Sequence, residues 1–175
     1  MSSLQRAMIH VATLDSPIGR LTLASRDNLV CLLHFGEDDA RVRRTLQRWY
    51  PAESIEARPD PAGAATRLGE YFAGRLDAVD AIDVELNGTP FQKRVWLALR
   101  TVRAGTTAAY AEIARTIAAP SAIRAVGAAN GANPVAVIVP CHRIIGTNGS
   151  LTGYGGGLDR KRWLLEHEQG STRFF

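Results

Sequence analysis

One cysteine of this 175-residue chain stands in a setting that suits nucleophilic chemistry. Cys141 follows the apolar run 135–139 and Pro140, and His142 and Arg143 come next. Cationic or basic neighbours lower the pKa of a thiol from about 8.5 and favour the reactive thiolate. Cys141 is therefore a candidate nucleophile and His142 a candidate base. The residues alone leave open a buried structural cysteine beside a surface histidine.

Three further polar residues could support this chemistry. Glu168 ends a predicted helix, where its carboxylate could orient His142, although a solvated glutamate fits the local pattern better. Tyr110 lies at the spacing of a packing residue, and Asn133 before Pro134 indicates a turn.

A metal site has little support. Cys31, His34 and His10 could approach one another across neighbouring strands, but zinc sites use about four ligands at short spacing. We therefore expect no metal.

The first half of the chain predicts an antiparallel meander followed by helices. Runs of β-branched and aliphatic residues, separated by turns, predict strands at 9–13, 20–24 and 29–35. Helices are expected at 38–49 and 62–73, with a loop after Pro51 between them. Segment 77–87 is expected to be an acidic, extended connector.

The second half predicts helices around the cysteine. Thr89-Pro90-Phe91-Gln92 fits a capping box that begins a helix closed by Gly105. Two short helices follow around the turn 118–120, the second capped by Ser121 and ending near Asn130. Together they form a helix-turn-helix candidate. Residues 135–139 indicate a buried strand, 146–157 a glycine-rich loop and 158–168 a last helix.

The second helix of this pair is unusually small-sided after Arg124. Ala125, Gly127 and Ala128 would let its surface approach a DNA groove closely, although the same residues also suit tight packing in a core.

Charge is divided unevenly along the chain. Residues 1–87 hold 10 basic and 13 acidic side chains, a net −3, whereas residues 88–175 hold 11 and 4, a net +7. A basic half favours a polyanionic partner such as nucleic acid. We expect no membrane span and no signal peptide at residues 1–10. Two distant cysteines suggest a reducing, cytoplasmic setting.

Six segments together resemble the O6-alkylguanine-DNA alkyltransferases. Their order and spacing fit across residues 88–168, whereas the first half matches only in size and in the turn Asp15-Ser16-Pro17-Ile18-Gly19. The segments are Gly88-Thr89-Pro90-Phe91-Gln92, Tyr110-Ala111-Glu112-Ile113-Ala114, Arg124-Ala125-Val126-Gly127, Asn133-Pro134, Ile138-Val139-Pro140-Cys141-His142-Arg143-Ile144-Ile145-Gly146 and Gly153-Tyr154-Gly155-Gly156-Gly157-Leu158.

The resemblance implies an α+β (α/β) chain of two domains. Residues 1–83 would form a ribonuclease-H-like domain with a three-stranded sheet, residues 84–88 a connector, and residues 89–175 a winged helix-turn-helix-like domain. The second domain would bind DNA and carry the reactive cysteine.

The resemblance also implies a role for each candidate. Cys141 would accept the alkyl group, His142 would act on it through a water, and Glu168 would orient His142. Tyr110 would turn a phosphate and protonate the leaving guanine, and Asn133 would hold the active-site strand. Arg124 would fill the gap left by a flipped base. The same DNA-binding surface would include Ala125, Gly127, Ala128 and Tyr110, and the pocket walls would be Tyr154, Gly155, Val139 and Pro140.

The implied partner is double-stranded DNA that contains O6-alkylguanine, with O4-methylthymine as a second substrate. The damaged base would be flipped into the protein. A thioether product would let each molecule react once, without a cofactor. We expect a monomer in solution, with cooperative binding on DNA left open.

Three other functions fit these residues less well. A lesion sensor of the alkyltransferase-like class would lack Cys141, a transcription factor would need base-reading side chains in place of alanine and glycine, and a thiol hydrolase would need an oxyanion hole.

Two residues depart from the family pattern. Asn130 stands where a hydrophobic residue is common, and Ala109 stands where serine or threonine is common.

Overall fold

Residues 7–170 are described in the computed structural model of this chain. Residues 1–6, part of the segment in which no signal peptide is expected, lie outside the described residues. Residues 171–175, the end of the predicted second domain, lie outside them as well.

The first half is built on a four-stranded sheet. Strands β1 (Met8–Leu14), β2 (Leu21–Arg26) and β3 (Leu29–Phe35) form the predicted antiparallel meander. A fourth strand, β4 (Ser54–Ala57), pairs in parallel with β1, so the order is β3-β2-β1-β4. The expectations of a loop there and of three strands are therefore wrong. Three of the four residues of β4 are exposed, so this edge strand has no apolar pattern.

Helices cover both faces of this sheet. Helix α1 (Asp39–Trp49) begins after Asp38, whose side chain accepts from the backbone N–H of Arg41 at 2.9 Å. It buries Val42 and Leu46 against one face. Helix α2 (Ala64–Phe72) packs on the other face as part of the main core, after a short 3-10 turn at Pro61–Gly63.

The segment after α2 is not the extended connector that its acidic residues suggest. Residues Leu76–Val79 form a 3-10 turn, and Ala78, Val79 and Ile82 are buried. Farther along, Val84 bridges to Val30 of β3. The apolar residues between the carboxylates bury against the sheet, so the segment packs as part of the fold.

The second half begins with the predicted capping box. The Thr89 side chain accepts from the backbone of Gln92, the Gln92 side chain accepts from the backbone of Thr89, and helix α3 follows at Pro90–Leu99. It ends before Gly105, which instead lies in a later turn with φ of 80°.

Helices α4 (Tyr110–Thr116) and α5 (Ile123–Gly131) confirm the predicted helix pair. The predicted cap at Ser121 is wrong, because α5 begins after Ala122 without a side-chain cap.

The apolar run before the cysteine is buried, but it is not a strand. Only Val135 pairs with the sheet, through a bridge to Leu33, and the chain then coils because Val137 has a φ of 69°. Asn133 closes the coil by donating to the carbonyl of Val139 at 2.8 Å and accepting from the N–H of Val135 at 2.9 Å. A β-branched residue rarely adopts this backbone, so sequence propensity favours the wrong structure here.

The cysteine lies on the next turn. A 3-10 turn at Cys141–Arg143 leads into β6 (Ile144–Ile145), which pairs in parallel with β5 (Ala108–Ala109) just before α4. The sequence gives no sign of this two-residue pairing, because strands so short have no periodicity.

The last helix, α6 (Leu158–Glu168), has the predicted bounds and follows the predicted loop. Gly156 of that loop touches the first half of the chain, since a Cβ there would lie 2.6 Å from the Phe35 ring. The main core is continuous from β2, β3 and α2 to α3–α6. Within residues 7–170, no helix is long and apolar enough to cross a membrane.

Candidate active site

Cys141 lines a pocket of about 330 Å³ between the two halves of the chain. Its side chain is 5% exposed. The pocket wall combines the β3 end and α1 with the glycine loop, and its lining includes His34, Phe35, Arg41, Asn130, Asn133, Tyr154 and Gly155. A small organic group could enter this space and meet the sulfur, whereas Cys31 is buried elsewhere under α1.

His142 is fully buried and joined to Glu168. Its Nε2 lies 2.8 Å from Oε1 of Glu168, which is itself buried. A carboxylate only accepts, so Nε2 carries the hydrogen and Nδ1 is left as an acceptor. Among the described residues, no protein group hydrogen-bonds Nδ1. His142 is thus a neutral base with its accepting nitrogen unoccupied by protein.

Arg143 completes an ion pair on the same carboxylate. Its Nε and Nη2 lie 3.0 and 2.9 Å from the two Glu168 oxygens, and its Nη1 donates to the carbonyl of Val102. Burial opposes ionisation of Glu168, but hydrogen bonds from His142 and Arg143 hold the pKa of this carboxyl well below its usual range. Glu168 is therefore a charged anchor rather than the solvated residue that its local sequence suggests.

Burial sets the protonation state of the thiol. It raises the pKa of Cys141, against smaller opposing effects from Asn133, Lys161 and Tyr154. Burial also lowers the pKa of His142. The expectation that neighbouring cations lower the thiol pKa is thus wrong in its net direction, because desolvation exceeds their attraction. The site holds a neutral thiol beside a neutral base.

A buried lysine fastens the loop that walls the pocket. Nζ of Lys161, on α6, donates to the carbonyls of Ile144 and Thr152 at 2.5 and 2.9 Å. The Tyr154 ring packs edge-on against Phe35 at 5.8 Å, and burial, followed by the proximity of Cys141, raises the pKa of its hydroxyl. This loop is therefore held over Cys141 from both sides.

The helix pair opens beside the pocket. A shallow groove of about 490 Å³ shares Asn130, Tyr154 and Gly155 with the Cys141 pocket, and its wall includes Tyr110 and Gly127. The Tyr110 hydroxyl lies 3.2 Å from that of Thr152. On the outer face of α5, the side chains at Arg124, Ala125 and Ala128 are exposed.

Two predicted pocket residues lie outside the pocket lining. Val139 and Pro140 are buried behind Cys141, where they support its backbone. A cavity of about 450 Å³ between β1, α1 and β4 contains none of the predicted site residues. Among residues 7–170, no cluster of three or more histidine, cysteine or acidic residues could hold a metal ion.

Comparisons with known proteins agree with the motifs. Residues 9–86 match the ribonuclease-like domain of 6-O-methylguanine DNA methyltransferase, and residues 90–170 match the DNA-binding domain of the same family. The chain belongs to the 6-O-methylguanine DNA methyltransferase family. The predicted family and its α+β class, with a sheet in the first half and helices in the second, are both confirmed.

Relatives of this methyltransferase family match over most of their length. A methylated-DNA–protein-cysteine methyltransferase of Mycobacterium tuberculosis is 50% identical over 165 residues, with 93% of each chain covered. One of Salmonella typhimurium is 48% identical over 130 residues, 73% of this chain and 76% of that protein. The crystal structure of Mycobacterium tuberculosis OGT in complex with DNA has a TM-score of 0.78 at 47% identity, covering 93% and 94% of the two chains.

Sequence reasoning did not assign three residues of the methyltransferase site. Arg143 was interpreted only as a cationic neighbour of the thiol and not as a partner of Glu168. Lys161 reads as an ordinary surface lysine, and Tyr71 lies in the other half of the chain. A lysine at the fourth position of a helix, Lys161 in Leu158–Glu168, gives no signal of burial. Only the contacts of the folded chain identify it.

Proposed function

We propose that this protein repairs alkylated DNA by transferring the O6-alkyl group of guanine to Sγ of Cys141, stoichiometrically and irreversibly. The observation that carries the proposal is the neutral base beside a buried thiol. Glu168 fixes the hydrogen on Nε2 of His142, and Nδ1 has no protein partner among the described residues, next in the chain to the cysteine that lines the pocket. The names of the similar proteins support the same reaction.

The transfer would begin with removal of the thiol proton. A water between Cys141 and His142 passes that proton to Nδ1, and the positive charge on the imidazole is stabilised by Glu168. The thiolate then attacks the alkyl carbon. The carbon–sulfur bond forms while the carbon–O6 bond breaks and leaves its electron pair on the guanine. The thioether that remains is stable, so each molecule reacts once.

The guanine anion leaves poorly unless it is protonated. Tyr110 faces the groove beside the pocket and would supply that proton. O4-methylthymine presents the same alkyl–oxygen bond, so we propose it as a second substrate. Asn133 would hold the coil that presents Cys141 through its two backbone hydrogen bonds.

The exposed face of α5 would dock on duplex DNA. Its small side chains at Ala125, Gly127 and Ala128 permit close approach to a groove, and Arg124 would occupy the space of the flipped base. Flipping is required because Cys141 is only 5% exposed and lies in a pocket. The same face supports double-stranded DNA with an alkylated base as the partner.

The remaining expectations are part of the same proposal. We propose a boundary between the domains at residues 84–88, which the two matched segments, ending at 86 and beginning at 90, support. The protein would act as a monomer in a reducing cytoplasm, where Cys141 and Cys31 stay as free thiols.

Intact mass tests the reaction. The protein is mixed with a duplex that contains one O6-methylguanine, then weighed and digested. We expect a gain of one methyl group per molecule on the peptide that contains Cys141, with unmodified guanine left in the DNA.

Two variants give the controls. Cys141→Ser should gain no mass, whereas Cys31→Ser should gain the same methyl group as the wild type. A methyl group on another residue, repeated turnover by one molecule, or unchanged O6-methylguanine would each contradict the proposal.

A further inference from the structure

A tyrosine from the first half of the chain touches the active-site carboxylate. Tyr71 lies in α2 and is fully buried. Its hydroxyl donates to Oε1 of Glu168 at 2.7 Å, across 97 positions of sequence. None of the motifs that identify the family includes this residue.

The Tyr71 hydroxyl contacts the same Glu168 oxygen that His142 contacts. Oε1 of Glu168 also receives Nε2 of His142 at 2.8 Å and Nη2 of Arg143 at 2.9 Å. The other oxygen, Oε2, receives Nε of Arg143 at 3.0 Å, with the N–H of Gly105 at 3.5 Å. Tyr71 thus shares one acceptor atom with the histidine that would take the proton of Cys141.

The ring of Tyr71 is held in a single place. It packs edge-on against Phe72 at 5.2 Å and against His167 at 5.3 Å, and its own carbonyl lies 2.7 Å from Nε2 of His167. His167 and Glu168 are neighbours on α6. The hydroxyl and the backbone carbonyl of Tyr71 therefore hydrogen-bond two consecutive residues of that helix.

We propose that Tyr71 is a positioning residue for alkyl transfer, which fixes the Glu168 carboxylate and through it the orientation and basicity of His142. The inference rests on the proposed reaction at Cys141. It gives the first half of the chain a direct part in the chemistry, through one hydrogen bond.

The charged and titratable groups around the pair set the direction of the effect. Arg143 and His142, both on the 3-10 turn, and Tyr71, on α2, surround the Glu168 carboxylate. The charge of Lys161, on α6, also acts on His142 and lowers its pKa. Removal of the Tyr71 donor leaves more negative charge on Oε1. The protonated form of His142 is then stabilised, so its pKa rises and the neutral base is lost at a higher pH.

The test is the Tyr71→Phe variant, which keeps the ring and removes only the hydroxyl. Single-turnover rates are measured from about pH 5 to pH 9 on a duplex with O6-methylguanine and on free O6-benzylguanine. We expect the rate on both substrates to fall about tenfold at pH 8. The acid limb of the pH profile should move about half a unit to higher pH.

A matched variant separates this role from simple support of the fold. Tyr50→Phe also removes a buried hydroxyl from the first half, where it accepts from Asn87 at 2.6 Å. It should leave both rates and the acid limb unchanged. An unchanged rate in Tyr71→Phe would overturn the inference, and so would a uniform loss at every pH with an unmoved acid limb. A wild-type protein that transfers no alkyl group would instead overturn the proposed function itself.

Discussion

The Cys141 thiol combines low exposure with a raised pKa, so the resting protein holds it in its neutral form. A neutral thiol reacts slowly with electrophiles in general, since the thiolate is the nucleophile. The thiolate would be formed by the proposed base, His142. Burial would thus protect a single-use residue from unrelated reagents, at the cost of a dependence on one base.

This dependence predicts the pH behaviour of a His142→Ala variant. We expect its single-turnover rate at pH 7 to be about 10²–10⁴-fold below that of the wild type. Burial lowers the pKa of His142. As the pH rises, the wild-type rate should therefore reach its plateau before about pH 6.5, because the imidazole is already neutral there. The variant rate should instead keep rising with pH, because only the thiolate formed by hydroxide reacts.

His10→Ala is the control for this measurement. His10 lies in β1, outside the pocket that Cys141 lines, and its loss should leave the profile intact. If the His142→Ala rate also levels off near neutral pH, another group acts as the base.

At the scale of single elements, the α4–α5 pair separates two tasks. The inner side of α5 buries Val126, Ala129 and Asn130, whereas Arg124 projects into solvent. The same outer face exposes the small side chains of Ala125 and Ala128. Substitutions on this proposed DNA-binding face should therefore leave the pocket chemistry unchanged.

Arg124→Ala should show this separation. We expect repair of a lesion in duplex DNA to slow about tenfold or more, while the reaction with free O6-benzylguanine changes little, because the free base needs no flipping. The two rate constants are measured on the same preparation. Arg48→Ala, which removes an exposed arginine from α1, should leave both near wild type. Equal losses on both substrates in Arg124→Ala would contradict a base-filling role.

The elements show how far sequence reasoning reaches. Periodicity and capping residues locate β1–β3, α1, α4 and α6, because these signals are local. The coil at 135–139 was mispredicted as a strand, because a valine at φ 69° is stabilised by Asn133 and by burial rather than by its own preference. Edge strand β4 was missed because it buries almost nothing.

The residues of the site show the same difference between local sequence signals and contacts formed by folding. Cys141 and His142 could be found from their neighbours in sequence, and the family motifs pointed to Glu168. The burial of Glu168 and its contact with Tyr71 depend on residues that meet only in the folded chain. No local pattern encodes a pairing across 97 positions.

Across the whole molecule, one carboxylate joins both halves of the chain. Because the pKa of Glu168 is depressed, its ionised form stabilises the folded state fully above the pKa of an unfolded glutamate, about 4.3. That stabilisation is lost as the pH falls from there toward the folded value. Acid should therefore lower the free energy of unfolding through this carboxylate.

A Glu168→Gln variant tests this linkage. We expect its free energy of unfolding at pH 7 to be about 3–5 kcal/mol lower than that of the wild type, since Arg143 loses a buried partner. The difference should shrink as the pH falls from about 5 to 3, measured by urea unfolding at each pH. Glu166→Gln, an exposed neighbour on α6, should follow the wild-type curve. A gap that stays constant over this range would contradict the linkage.

The hydrogen bond between Tyr71 and Glu168 also bears on how the chain matures. During synthesis, α2 emerges long before α6, and domains fold as they leave the ribosome. Until α6 docks, His142 lacks the carboxylate that fixes its tautomer and orientation. A half-made or misassembled chain would lack both the folded pocket and the oriented base, so alkyl transfer from DNA is reserved for the finished fold.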